Sequence, residues 1–399
     1  MTLVKRAARG YYPHPGRRRP PPGPALCAFH STATNRTMST DAEQAGVVDS
    51  PAQVRPGEEL DPAALSAYLR EHLPGADGEL EVRQFPRGFS NLTYAVRVGD
   101  REMVLRRPPF GADVRGGHDV EREHRVLAAL HPVWPRAPRP VLYCGDASVI
   151  GAPFYLMERV AGVILRDRPP AGVTLDEGTM RGVCLSLVDT LAELHAVDFR
   201  AAGLETLGRP EGYVERQVSG WTARWEKAKT DDVPEMDAAA AWLAASRPPE
   251  TGAALIHGDY KYDNLVLDPA GLTRVKAVLD WEMATIGDPL MDLGTTLGYW
   301  TEPGDTPELM SFGLTHLPGN LTRQGVADRY AERTGRDVSG VLFYFVYGLF
   351  KVGVICQQIY ARYQAGKTRD PRFAGLLHVV RACGRTAAKA IGAGRVSGL

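Results

Sequence analysis

The octapeptide His257-Gly258-Asp259-Tyr260-Lys261-Tyr262-Asp263-Asn264, with Asp280 sixteen residues beyond it, constrains this chain more than any other feature. The residues around it prescribe a local fold. Ala254-Leu255-Ile256 is a short apolar strand feeding the octapeptide, and Leu265-Val266-Leu267-Asp268 is a second strand. Pro269-Ala270-Gly271 is a turn, and residues 275–279 return as a third strand. The hairpin brings Asp280 back beside Asn264. An amide and a carboxylate set together at a strand exit are oxygen donors suited to a hard divalent cation. Asp259 adds a carboxylate that could take a proton.

Asp259 and Asn264 also have the Asp-x4-Asn spacing of a kinase catalytic loop. Phosphoryl transfer asks a protein for few groups, mostly for positioning and charge. In this reading Asp259 orients an acceptor hydroxyl and takes its proton, while Asn264 and Asp280 hold Mg²⁺ on ATP. His257 braces the loop backbone. Asp292, in Asp288-Pro289-Leu290-Met291-Asp292, bonds the loop or caps a helix. A surface turn with scattered acids is the bland alternative, but loop, hairpin and second aspartate agree with one another.

The chain divides into a strand-rich part and a helical part. Asp61-Pro62 starts a helix as N-cap and first helical residue. Alternating segments at 80–85 and 92–98, the Gly99-Asp100 hairpin signal and a strand at 103–106 follow. A helix at 119–130 places Val120, His124, Leu127 and Leu130 on one face, and strands follow at 141–144 and 154–157. From about 176 the pattern is helical, at 176–196, 211–229, 235–247, 323–335, 341–363 and 371–391, and only the hairpin interrupts it with strands. The expected fold class is α+β, two-lobed and protein-kinase-like. Residues 1–58 form a disordered basic, Pro-rich leader, 59–158 a small β-rich nucleotide-binding N-lobe, and 159–399 a large helical C-lobe, with a linker near 158–162. The nucleotide is expected in the cleft between the lobes. Gly88-Phe89-Ser90-Asn91, between the first two strands, would close over the phosphates through backbone N–H groups and the Ser90 hydroxyl. Arg106 ends the third strand as the phosphate cation, with Glu123 as its partner and Glu121 as the alternative. The backbone at Glu158 and Val160 would meet the adenine edge.

The formal net charge is zero across 399 residues, which gives no global case for nucleic acid. Residues 1–37 nevertheless hold seven cations and no acid. Such a leader resembles a mitochondrial transit peptide, but six prolines between Pro13 and Pro24 oppose an amphipathic helix. Met38 is an alternative start, and a cytoplasmic enzyme is expected. Five scattered cysteines without a Cys-x-x-Cys pair argue against a disulfide framework or a zinc site. The apolar run from Val341 to Cys356 is interrupted by Lys351 and is shorter than the roughly twenty residues a membrane span needs, so a buried helix is expected.

With these residues placed, the chain resembles the aminoglycoside phosphotransferase and choline kinase group of the protein-kinase-like fold. It reads His-Gly-Asp where protein kinases read His-Arg-Asp, and no Ala-Pro-Glu follows Asp280, which disfavours protein substrates. Leu255–Asn264, Val278–Glu282, Ile286–Pro289, Tyr213–Trp221, Phe350–Val354 and Tyr360–Tyr363 are similar to the kinase domain fused to acyl-CoA dehydrogenases in animals. That subfamily also carries Arg at the position of Arg106. The resemblance implies phosphorylation of a hydroxyl on a hydroxyacyl chain, notably a 4-hydroxyacyl-CoA. It also implies an acyl-CoA dehydrogenase as a separate partner, since this chain ends at Leu399. For a bulky anionic thioester, Arg216, Gln217, Trp221, Gln358, Tyr360 and Arg362 are the candidate acceptor residues. The rivals are an aminoglycoside kinase, which would want acids in its acceptor site, a choline-type kinase, which would want an aromatic cage, and a nucleotide-binding pseudokinase scaffold.

Overall fold

The computed structural model describes residues 48–85, 91–110, 119–368 and 370–399. Five strands, β1 (Leu80–Gln84), β2 (Leu92–Val98), β3 (Arg101–Arg107), β4 (Pro140–Cys144) and β5 (Phe154–Glu158), form an antiparallel sheet in the order β1-β2-β3-β5-β4. Gly99, at φ +58°, makes the β2–β3 turn. The period of two sorts the side chains. Tyr94, Val96, Met103 and Leu105 bury one face under α1 (Pro62–His72), through Leu65 and Leu69. Val104, Tyr155 and Met157 line the other face, with Val126, Leu127 and Leu130 of α2 (Val120–Leu130). Arg106, two residues after Val104, therefore sits on the α2 side.

Two expectations for this region need correction. Residues 48–58 pack on the sheet. Ala52 and Gln84 exchange backbone hydrogen bonds of 2.8 and 2.9 Å, and the Tyr94 hydroxyl donates to the Glu58 carbonyl at 2.7 Å. The segment covers the open edge of β1 through its backbone, which a polar composition does not reveal. On α2, His124 is half-buried and Glu123 takes the buried position. The leader before residue 48 lies outside the described residues.

The helical part comprises α3 (Glu177–His195), α4 (Tyr213–Ala228), α5 (Pro234–Ala245), α6 (Pro289–Tyr299), the short α7 (Pro307–Met310), α8 (Arg323–Thr334), α9 (Val341–Gln364) and α10 (Leu376–Ala393). Two small antiparallel pairs interrupt it, β6 (Ala254–Ile256) with β9 (Thr285–Gly287) and β7 (Leu265–Leu267) with β8 (Val275–Val278). β9 is a strand that the sequence reading lacks, because three residues show no period. α6 and α9 cross at backbone contact. A Cβ on Gly348 would lie 1.9 Å from the Gly294 carbonyl oxygen, and one on Gly294 would lie 2.2 Å from that of Tyr344. α9 is long and apolar enough to cross a membrane, yet 78% of its most apolar stretch is buried inside the protein. It is the central helix of the C-terminal core.

Candidate active site

β6 delivers the chain into a loop whose backbone is held from below. The carboxylate of Asp292, buried on α6, accepts from the N–H of His257 at 2.7 Å and of Gly258 at 2.8 Å. Its third donor is His195 Nε2 at 3.2 Å. Asp288, the residue before α6, caps that helix and accepts from Thr251. Burial would raise the Asp292 carboxyl, but His195 and His257 outweigh it and hold the group below the usual carboxylate value. His257 is fully buried. Its Nε2 lies 2.9 Å from the Leu279 carbonyl, and its Nδ1 accepts from the Asp259 N–H at 3.2 Å. A carbonyl can only accept and an N–H can only donate, so the ring is the neutral Nε2–H tautomer. His257 is thus a brace between the 257–264 loop and the strand that leads to Asp280. Gly258, at φ +81°, has no room for a Cβ, which would approach Met283 to 2.9 Å.

On this support the loop presents Asp259. Asn264 donates to the Asp259 carbonyl at 2.8 Å and to its Oδ2 at 3.1 Å, which turns the amide oxygen of Asn264 away from that carboxylate. The β7–β8 register pairs Leu265 with Val278, and the Leu279 N–H donates to the Asn264 carbonyl at 2.8 Å. Asn264 and Asp280 therefore meet at one end of the hairpin. Asp280 is one of two non-glycine residues at positive φ among the described residues, at +70°. That strained conformation aims its carboxylate back across the cleft. Two hard oxygen donors lining one cleft suit Mg²⁺, which takes few protein ligands and shares its shell with phosphates.

Arg106 connects the two lobes. One arm of its guanidinium donates to Glu123 at 2.7 Å and the other to Asp280 at 3.0 Å, with Glu282 3.7 Å away. Glu123 also accepts from the Trp281 N–H at 3.2 Å, so a single carboxylate of α2 holds both Arg106 and the residue after Asp280. Glu121 is exposed and takes no part. Burial works against the Arg106 charge, but Glu123 and Asp280 overcome it and keep the group cationic. Burial would also raise Asp280, and Arg106 pulls it below the ordinary carboxylate value. Asn91 Nδ2 lies 3.3 Å from Glu282. Gly88 and Ser90 lie outside the described residues. At the hinge, the Glu158 N–H already donates to the Arg139 carbonyl at 2.8 Å and its side chain pairs with Arg139, which removes that N–H as an adenine contact. The Glu158 carbonyl and the Val160 N–H remain as candidates.

A cleft of about 1800 Å³ contains these groups. Its far wall comes from two helices. On α4, Gln217, Trp221 and Arg224 follow at spacings of four and three, and on α9, Lys351, Ile355, Gln358 and Arg362 follow at four, three and four, so each set shares a helix face. Arg216 and Tyr360 fall off these faces. Arg216 donates to the Arg209 and Glu211 carbonyls, and the Tyr360 hydroxyl accepts from Gln364 at 2.6 Å. Neither lines the cleft, which corrects their expected acceptor role. Gln217 accepts from Trp221 Nε1 at 3.2 Å and so fixes that ring.

Lys261 and Lys351 carry no assignment from the sequence. Lys261 Nζ lies 2.6 Å from Asp259 Oδ2. Burial opposes its charge, but Asp259 more than compensates and raises its pKa. Lys351, buried in α9, donates to the Gly258 carbonyl, and burial pushes its pKa down to about 8. A lone lysine in an apolar helix was the available signal.

Residues 81–326 match the model of the phosphotransferase enzyme family. Acyl-CoA dehydrogenase family member 11 of Rattus norvegicus is 37% identical over 324 residues, covering 79% of this chain and 41% of the relative. Family member 10 of Mus musculus is 34% identical over 309 residues, covering 76% of this chain and 28% of the relative. The chain thus spans less than half the length of these curated relatives. Among solved structures, a Ralstonia eutropha JMP134 protein provisionally named an aminoglycoside phosphotransferase matches with a TM-score of 0.69 at 32% identity, over 83% of this chain and 99% of that one. A choline kinase of Cryptosporidium parvum shares the fold alone, with a TM-score of 0.58 at 14% identity over 84% and 97%. The chain belongs to the phosphotransferase enzyme family, with a protein-kinase-like fold.

Proposed function

We propose that this protein transfers the γ-phosphoryl group of ATP to the hydroxyl of a hydroxyacyl-CoA or a related hydroxy acid. The observation that carries this reading is the charge of the acceptor wall. Among the described residues, 213–228 and 351–376 contribute Arg224, Lys227, Lys351, Arg362, Lys367 and Arg372 to the lining and no acid. Arg224, Lys227, Arg362 and Lys367 have no carboxylate within 4.0 Å among the described residues. Coenzyme A brings phosphates to such a wall, whereas a polycationic aminoglycoside meets like charge. A choline-type cage is disfavoured because the Trp221 ring already faces the Arg224 guanidinium at 4.7 Å. The names of the relatives in family members 10 and 11 agree with an acyl-CoA substrate, and a separate acyl-CoA dehydrogenase is the partner this reading implies.

The chain's own residues divide the work. Arg106, fixed by Glu123, sets a positive fork against the phosphates. Asn264 and Asp280 would hold Mg²⁺, whose bound charge would neutralise the phosphate oxygens. Asp259 orients the acceptor hydroxyl. The acceptor oxygen bonds to the γ-phosphorus as the bond to the β,γ-bridging oxygen breaks, the hydroxyl proton passes to Asp259, and ADP leaves. Lys261 keeps a positive charge beside that carboxylate.

The test is a turnover screen with ATP and Mg²⁺ over 3- and 4-hydroxyacyl-CoAs, their free acids, kanamycin and choline. Selective transfer to the hydroxyacyl compounds is expected. Transfer confined to kanamycin or choline would contradict the proposal.

A further inference from the structure

Lys351 stands out because the fold does not need its charge. It sits in the middle of α9 among apolar neighbours and is 4% exposed. Burying an ammonium is costly unless it is well paired, and a methionine of similar volume would fill the site without that cost. Yet the hydrogen-bond acceptor it has among the described residues is neutral, the carbonyl of Gly258. An ammonium has three donors, and this contact uses one. Lys351 also lines the cleft, with Nζ 5.6 Å from the centroid of the Trp221 ring. The charged groups that face it come from three elements. Asp259 and Lys261 lie on the catalytic loop, Asp292 on α6 and Arg224 on α4. None of the roles assigned to phosphoryl transfer employs it.

We propose that Lys351 is a specificity-determining residue that donates its remaining N–H groups to a carbonyl or carboxylate oxygen of the acceptor. This deepens the reading of the acceptor as a hydroxyacyl compound and rests on it. The geometry has a consequence for regiochemistry. Lys351 is anchored on Gly258, and the next residue, Asp259, orients the hydroxyl. The oxygen reader and the hydroxyl reader are thus held at one fixed separation. An acceptor fits only when the distance between its carbonyl and its hydroxyl matches, so the site measures the position of the hydroxyl along the chain. The burial that pushes Lys351 down to about 8 adds a pH signature. The ammonium is present below that pH and is lost as the pH rises through it, and the discrimination goes with it.

The experiment compares full-length wild type, Lys351→Met and Lys351→Arg. The acceptors are 3-, 4- and 5-hydroxyacyl-CoAs and a thioether analogue in which a methylene replaces the thioester carbonyl. Losing a charge-assisted hydrogen bond should lower kcat/KM of Lys351→Met by about 10- to 100-fold on the preferred ester. On the thioether the loss should shrink to within about threefold, because the interaction is absent from both. The positional preference should flatten, the KM for ATP should hold, and Lys351→Arg should recover part of the preference. In the wild type, preference for ester over thioether should decline above about pH 8. An equal loss on ester and thioether would make Lys351 merely structural and overturn the proposal, as would no loss on either. If Lys351→Met does not fold, the same comparison is made on Lys351→Arg, where an unchanged positional and pH preference contradicts the proposal. If wild type phosphorylates hydroxy acids but not CoA esters, the CoA assignment fails alone. The comparison then runs on the acid against its decarboxylated alcohol, with the same outcomes. Turnover confined to cationic acceptors, or on no member of the panel, overturns both readings.

Discussion

Arg106 shows how much one side chain can carry at this site. Its fork spans Glu123 on α2 and Asp280 at the end of the hairpin, so it links the sheet lobe to the proposed cation site. A lysine offers a point charge that cannot meet two carboxylates in that plane. Arg106→Lys is expected to lower kcat/KM for ATP by about 10- to 100-fold, the value of one charge-assisted hydrogen bond, with little change in the KM of the acceptor. Steady-state kinetics with each substrate varied checks this, and an unchanged ATP dependence would count against the bridging role. These groups were legible because spacing and strand ends imply them: Asp259 to Asn264 by count, Asp280 by its hairpin, Arg106 and Glu123 by a strand and the helix after it. Lys261 and Lys351 were not legible, since each acquires its meaning from a partner met only in the fold. Arg216 and Tyr360 were misplaced by one or two positions on a helix. One residue is a rotation of about 100°, enough to move a side chain from the cleft to another face.

The elements that hold the site depend on close helix packing. α6 carries Asp292, α9 carries Lys351, and the two cross where Gly294 and Gly348 allow backbone contact. A methyl group on Gly348 would meet a carbonyl at 1.9 Å, which backbone cannot yield without moving a helix. Gly348→Ala is expected to destabilise by about 1–3 kcal/mol, the range for overpacking, and to lower activity as well. Gly392, near the end of α10, has open space around its Cβ position. Gly392→Ala should be neutral or stabilise by up to about 1 kcal/mol. Urea denaturation of the pair checks both, and equal midpoints for the two variants would refute the packing account. Long periodic helices and alternating strands were readable from sequence. β9 was too short to show a pattern, and residues 48–58 pair through backbone that polar side chains conceal.

For the molecule as a whole, the buried polar network around Asp292 joins stability to the site. Asp292→Ala leaves the N–H groups of His257 and Gly258 without their acceptor, at about 1–3 kcal/mol each. The folded-state pKa of Asp292 is depressed, so its contribution is present above the unfolded carboxylate value near 3.8 and is lost as pH falls through the lower folded value. Acid unfolding should begin at higher pH in the variant, and circular dichroism across pH 2–5 would record it. Lys351 has the same sign in a more alkaline window. Its pKa falls from 10.5 to about 8 on folding, so the unfolded chain binds the extra proton between those values and stability gains as pH rises. Lys351→Met should remove that component, and a wild type and variant with parallel stability between pH 8 and 10 would contradict it.

The two-lobed arrangement was legible from the switch from strand to helix periodicity and from the octapeptide. The charge of the proposed acceptor wall was not, because its cations come from α4, α9 and the segment before α10 and meet only in three dimensions. The central claim is that Asp259 serves an acceptor hydroxyl drawn to that wall. The most direct test is a single-turnover measurement with γ-labelled ATP, Mg²⁺ and a 4-hydroxyacyl-CoA, on wild type and Asp259→Ala. The account predicts that label appears on the acyl chain's hydroxyl with wild type and is lost by at least about a hundredfold in the variant, the scale of general acid–base catalysis. Undiminished transfer by Asp259→Ala, or label on kanamycin in preference to the CoA ester, would contradict it.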